Sequence, residues 1–265
     1  MPMGSRLRGT LLAIVVFTGM ISVTAGTAGA APAPWSGGFA GFPSTSWSDG
    51  WGIDTRGKWG FTDMKPSGGA LDVTYGKGSS APSCTNCPTT GGGQFYQDLN
   101  RVGRGDLQRA DTLYLRYQVR FPANFDFGKG GKLPGFYGGD PGSQSGGSHG
   151  GWSTRFMWRD GGKGEVYVYT PSGNGYGKDV GLGSWRFAAD GQTHTIEQAV
   201  TRSTGNVTVW YDGRQVLSAN EVGGIRSIPF RGVFFSTFFG GHDTSWGPKS
   251  TVHAYFSNFS VSTSR

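Results

Sequence analysis

Two cysteines and four histidines are all that the 265-residue chain offers toward thiol or soft-metal chemistry. Cys84 and Cys87 have no pair of further ligands nearby to complete a zinc site, and the βαβ setting of a thioredoxin-like C-x-x-C is missing. His149, His194, His242 and His253 stand at no metal-ligand spacing to one another, so neither a metal nor a cofactor is expected. Acidic residues are sparse as well, 17 in all. Glu165, between Gly164 and Val166, and Glu197 each stand alone, which disfavours the paired carboxylates of a glycoside hydrolase. Long apolar runs stop early: residues 11–21 are mostly apolar, and nothing later approaches the roughly 20 residues of a spanning helix. No basic run, zinc spacing or RNA-binding signature points to nucleic acid. Nor is any amphipathic stretch long enough for a major helix; residues 218–221 can form at most a short turn.

What is present is an address followed by strands. Arg6 and Arg8 form a basic start, the apolar run follows, and Ala28-Gly29-Ala30 offers a small-residue cleavage site, so residues 1–30 are expected to be a signal peptide. The remaining 235 residues suit a single domain, secreted and monomeric, with no membrane attachment. In such an exported chain Cys84 and Cys87 are expected to close a small disulfide loop. Without Arg6 and Arg8, 22 basic residues face 17 acidic, a net +5 that suits an anionic partner. Glycine supplies 49 residues, scattered among aromatic and β-branched runs without a G-X-Y period, as tight turns between many short strands require.

Period-two alternation is clearest at residues 111–121, where Leu113, Leu115, Tyr117, Val119 and Phe121 alternate with polar or aromatic neighbours. It recurs at 152–159, 165–170, 193–200, 206–211, 233–239 and about 251–261. Asp212-Gly213 between two such runs is a two-residue hairpin signal. The class is therefore all-β, a two-sheet β-jelly roll of the concanavalin-like sandwich type, with a concave face for a long ligand. The Gly- and Ser-rich segment 128–151 is expected to be a mobile lid over that face. Trp185, Trp210 and Trp246 are candidates to stack on sugars there, which keeps a non-catalytic carbohydrate-binding module open beside an enzyme.

The chemistry-bearing stretch runs from Gly151 to Tyr169. If Asp160-Gly161-Gly162 is a three-residue loop, Arg159 pairs with Lys163, Arg155 faces Tyr167 and Ser153 faces Tyr169. Side-chain alternation then puts Ser153, Arg155, Tyr167 and Tyr169 on one face, with Trp152, Thr154, Phe156, Val166 and Val168 on the core face.

This set resembles polysaccharide lyase family 14, which includes alginate and glucuronan lyases with a jelly-roll fold. The resemblance rests on the Ser-x-Arg and Tyr-x-Tyr pairs at this separation, preceded by a lysine in Gly130-Gly131-Lys132-Leu133-Pro134-Gly135. It implies β-elimination on a 4-linked uronate polysaccharide and unsaturated products. Such chemistry needs the C6 carboxylate neutralised, the C5 proton removed and the O4 leaving group protonated. Arg155 or Lys132 can serve the carboxylate, and Tyr167 and Tyr169 the proton transfers, with the two cations favouring a phenolate. Ser153 is expected to orient substrate; no G-x-S-x-G elbow makes it a nucleophile.

Overall fold

The computed structural model describes Met1 and residues 31–39, 47–88, 91–142, 150–173 and 175–265. Residues 2–30, which hold nearly all of the expected signal peptide, and 143–149 of the expected lid lie outside the described residues. Among the described residues no helix is long and apolar enough to cross a membrane. Among the described residues fifteen strands run in chain order. The first five are β1 (Trp35–Gly37), β2 (Ile53–Trp59), β3 (Met64–Ser67), β4 (Ala70–Tyr75) and β5 (Gly93–Asp98). Next come β6 (Thr112–Arg120), β7 (Gly130–Gly138), β8 (Trp152–Arg159), β9 (Gly164–Tyr169) and β10 (Lys178–Val180). The last are β11 (Thr193–Thr201), β12 (Asn206–Tyr211), β13 (Arg214–Asn220), β14 (Phe230–Phe239) and β15 (Val252–Ser262).

They form two antiparallel sheets, one ordered β13-β12-β11-β6-β15-β4-β3 with β1 added beside β15, the other β10-β9-β8-β7-β14-β5-β2. The alternation read from the sequence explains the layering. Leu113, Leu115, Tyr117 and Val119 of β6 point inward against Phe156, Trp158, Val166 and Phe235 of the second sheet, all buried in one core cluster. Aromatic rings dominate that core: Phe95 stacks on Phe235 at 4.6 Å, and Tyr117 on Phe259 at 4.7 Å. Polar pairs cross it. Thr154 Oγ1 donates to Gln198 Oε1 (2.7 Å) and Gln198 Nε2 donates back to the Thr154 carbonyl (3.0 Å), so neither group is left unpaired.

Two expectations are corrected. Residues 128–151 are not one lid, because Gly130–Gly138 is an inner strand of the seven-stranded sheet, flanked by β8 and β14 and buried throughout. Its glycines accommodate bulk from the neighbours: a Cβ on Gly131 would meet the Trp158 ring at 2.1 Å, and one on Gly138 the Trp152 indole at 2.2 Å. Composition said loop, whereas packing demanded strand positions without side chains. Residues 218–221, read as a turn, lie largely within strand β13, where pairing with β12 overrides the local signal. The Asp212-Gly213 hairpin forms with positive φ at both residues (48° and 79°).

Cys84 and Cys87 are joined in a disulfide, and neither contributes to the chemistry-bearing face. Cys84→Ser should therefore leave the turnover expected of that face intact and lose at most about 2 kcal/mol of stability, since the closed loop is short. Thermal unfolding and turnover measured side by side check this; loss of turnover with folding intact would give the loop a catalytic part.

Candidate active site

The β8–β9 hairpin sets the site. Ser153 pairs with Tyr169, Arg155 with Tyr167 and Met157 with Glu165, and the turn is closed by Arg159 N–H donating to the Lys163 carbonyl (2.7 Å). Strand β7 adds Lys132 opposite Met157. Since Trp152, Phe156, Val166 and Val168 fill the core, the alternate residues Ser153, Arg155, Tyr167 and Tyr169 face away from it on the outer side of the seven-stranded sheet. Lys132 joins them there: its Nζ lies 3.1 Å from the Tyr167 ring centroid and 5.9 Å from that of Tyr169, and donates to Met157 Sδ at 2.6 Å. All five residues singled out from the sequence are thus brought together.

The tyrosines are half-buried, while the cations lie beneath them. Arg155 is 2% exposed and Lys132 7%. Arg155 donates from Nη1 to Ser236 Oγ (3.0 Å), and Ser236 in turn donates to Gln94 Oε1 (3.0 Å). Its guanidinium packs 4.3 Å from the Phe234 ring centroid and 5.5 Å from that of Tyr169. No carboxylate pairs with it among the described residues, and its Nε is buried without a partner. A guanidinium stays protonated even where burial lowers its pKa, as here. An unpaired buried cation is costly to fold around, which makes Arg155 the most informative group on this face.

Proton affinities differ from those expected of the sequence. Burial pushes the Tyr167 hydroxyl up to about 12, and neighbouring Tyr169 adds to the rise. Burial drives Lys132 well below the usual ammonium range, helped by the positive charges of Arg155 and Arg159. Both shifts oppose a Tyr167 phenolate favoured by a lysine cation. The amine is driven toward its neutral form and the phenol of Tyr167 keeps its proton.

Several contributors escaped the sequence reading. Ser236 and Gln94 come from β14 and β5, far along the chain, and only the sheet order carries them to Arg155. Glu165, dismissed as isolated, is fully buried; it accepts from Arg159 Nε (2.7 Å), and Arg159 also holds Asp179 (2.8 Å). Burial raises its carboxyl to about 7, against the opposing pull of Arg159. The second oxygen of Glu165 has no hydrogen-bond partner. Of the tryptophans considered for stacking, Trp185 is core, 5% exposed and edge-on to Phe156, while Trp210 belongs to the other sheet. Among the described residues no three His, Cys, Asp or Glu side chains gather as a metal-ligand cluster.

Residues 63–259 match the family described as polysaccharide lyase 14. The chain belongs to that family. A solved marine PL-14 alginate lyase from Aplysia kurodai is 30% identical, with a TM-score of 0.69 over 86% of this chain and 97% of that one. An alginate lyase solved with an alginate tetrasaccharide shares the fold at 21% identity, TM-score 0.66, over 89% and 99% of the two chains. An endo-β-1,4-glucuronan lyase from the fungus Trichoderma reesei does so at 13% identity, TM-score 0.51, over 88% and 96%. No curated protein matches the sequence at a significant level. The protein is therefore a polysaccharide lyase with the family's jelly-roll fold, and the non-catalytic module and the glycoside hydrolase fall away as readings of the whole chain.

Proposed function

We propose that this polysaccharide lyase cleaves a 4-linked uronan, alginate before glucuronan, by β-elimination. Arg155 carries the reading. A buried guanidinium without a carboxylate partner, beside two tyrosines and a lysine, suits the C6 carboxylate of a uronate, whose charge grows toward O6 as C5 loses its proton. Electroneutral sugars would leave that cation uncompensated. Alginate takes precedence because the 30%-identical solved relative is an alginate lyase.

In this scheme Lys132, driven toward the neutral amine, accepts the C5 proton. The C5 electron pair forms the C4–C5 double bond as the C4–O4 bond breaks, and the Tyr167–Tyr169 pair returns a proton to the leaving O4. Ser153, buried between the positions of Tyr137 and Tyr169, orients rather than attacks. Secretion is part of the same reading, supported by the basic, apolar and small-residue order of residues 1–30; a polymer too large to enter a cell is met outside it.

Incubation with alginate, its mannuronate-rich and guluronate-rich fractions, and glucuronan should yield ultraviolet-absorbing unsaturated ends from at least one. New reducing ends without that absorbance would mean hydrolysis and overturn the elimination scheme.

A further inference from the structure

The outer face of the other sheet holds a second constellation that the elimination chemistry does not use. Strand register sets Trp210 of β12 opposite Glu197 of β11, Glu197 opposite Arg116 of β6, Arg116 opposite Ser260 of β15, and Ser260 opposite Ser36 of β1. These five form one lateral row across five strands, on the solvent side because Leu115, Ile196, Val209 and Val261 occupy the alternate, core-facing positions. A cavity of about 740 Å³ lies over the row, within the range of small-molecule sites.

Its walls follow from residue size. Tyr114 sits opposite Ala199, whose methyl leaves space, so the Tyr114 ring reaches Trp210 with centroids 6.1 Å apart and planes 32° apart. Both rings are half-buried and line the cavity. On the other side, serines replace bulk and leave the floor low, offering hydroxyls in place of side-chain volume. Outward aromatics beside a hydroxyl-lined floor are what a sugar ring recognises: C–H faces against the rings, hydroxyls against serine oxygens.

Charge narrows the class of sugar. Glu197 is 6% exposed and already neutralised, its Oε1 accepting from Arg265 Nε at 2.9 Å. The Arg265 guanidinium also lies 4.7 Å from the Trp210 ring centroid, bracing the indole. Asp212, at the rim and off the row, shares His194 with Asp190, at 2.7 and 3.2 Å. Arg116, in the middle of the row, is exposed and has no ion-pair partner among the described residues. Within the row itself, Glu197 is paired and the charge left without an ion-pair partner among the described residues is the positive one of Arg116. We propose that this cavity is a second, non-catalytic binding site for a uronan segment, with sugar rings against Trp210 and Tyr114 and a carboxylate on Arg116.

This inference rests on the uronan substrate proposed above, and it gives the lyase a hold on polymer remote from the cleaved bond. Two sites on one chain raise the local concentration of substrate only for molecules long enough to engage both, or for matrices presenting many chains. Short oligosaccharides should not sense the loss of one.

The test compares Arg116→Gln and Trp210→Ala. Retention on calcium-alginate beads is measured with both changes placed in a Lys132→Met background that limits digestion, and turnover of a soluble alginate tetrasaccharide in the otherwise native chain. Trp210→Ala should weaken retention about tenfold, and Arg116→Gln about threefold with a shallower salt dependence, as loss of one exposed charge contact predicts. Tetrasaccharide turnover should stay within about twofold of the parent for both. Arg116 is exposed and replaceable without disturbing the core, so retention of Arg116→Gln equal to the parent's overturns the second site even if Trp210→Ala folds poorly. If the native chain releases no unsaturated ends from alginate or glucuronan, the uronan reading itself has failed and this site falls with it. Unsaturated ends together with unchanged retention of Arg116→Gln remove the second site alone.

Discussion

Arg155→Ala is expected to lower kcat/KM on the uronan substrate by about 10²–10³-fold while leaving the fold as stable as before, or more so. Both halves follow from the same observation. The guanidinium is 2% exposed, has no carboxylate partner among the described residues and keeps one nitrogen unsatisfied, so the folded protein carries its desolvation with neutral groups such as Ser236 and the Phe234 and Tyr169 rings as compensation. Deleting an unpaired buried charge relieves that strain, in contrast to deleting one half of a pair. Turnover suffers because the cation stabilises charge that develops on the uronate carboxylate, the kind of loss seen when one preorganised electrostatic donor is removed. KM should rise and kcat should fall together, since the carboxylate is charged before the reaction as well as during it. Thermal unfolding alongside steady-state kinetics decides the matter. A variant that is destabilised yet turns over normally would make Arg155 a structural residue and return carboxylate recognition to other groups.

The difference between what the residues announced and what they concealed is physical. Short-range patterns were legible: period-two alternation gave the hairpin register, and Ser153, Arg155, Tyr167 and Tyr169 emerge on one face with the pairings that a three-residue turn dictates. Lys132 could be joined to them only through the family resemblance, because its strand is built from glycines that resemble loop until Trp152 and Trp158 are seen occupying the vacated volume. Ser236 and Gln94 carry no local signal at all; non-adjacent strands bring them to Arg155. Glu165 looked isolated because its partner Arg159 lies across a turn. Proton affinity was the least legible property, since burial of Lys132 and Tyr167 outweighs the neighbouring charges from which a phenolate had been inferred.

Proton affinity also supplies the sharpest test of the division of labour. With Lys132 as base, its amine must be neutral, so the rate should climb as pH rises through its lowered pKa and then level off. With a tyrosine phenol as acid, the plateau should persist until the phenol ionises, near about 12 for Tyr167. Lys132→Met should cost about 10²–10⁴-fold in kcat across the plateau, and Tyr167→Phe or Tyr169→Phe about 10²-fold or more in whichever donates the proton, with oligosaccharide still bound in each. Glu165 provides a control that a merely structural lysine would not obey. Its ionised carboxylate favours the lysine's cation, and its own carboxyl titrates about 7. Glu165→Gln removes that negative charge, lowers the Lys132 pKa further and should move the acid limb of the rate profile to lower pH without lowering the plateau. An acid limb that stays in place would detach Lys132 from the base role. If Lys132→Met instead shows a rate that keeps rising toward pH 12, a tyrosine phenolate is the base after all, because only ionisation of a phenol would then supply one.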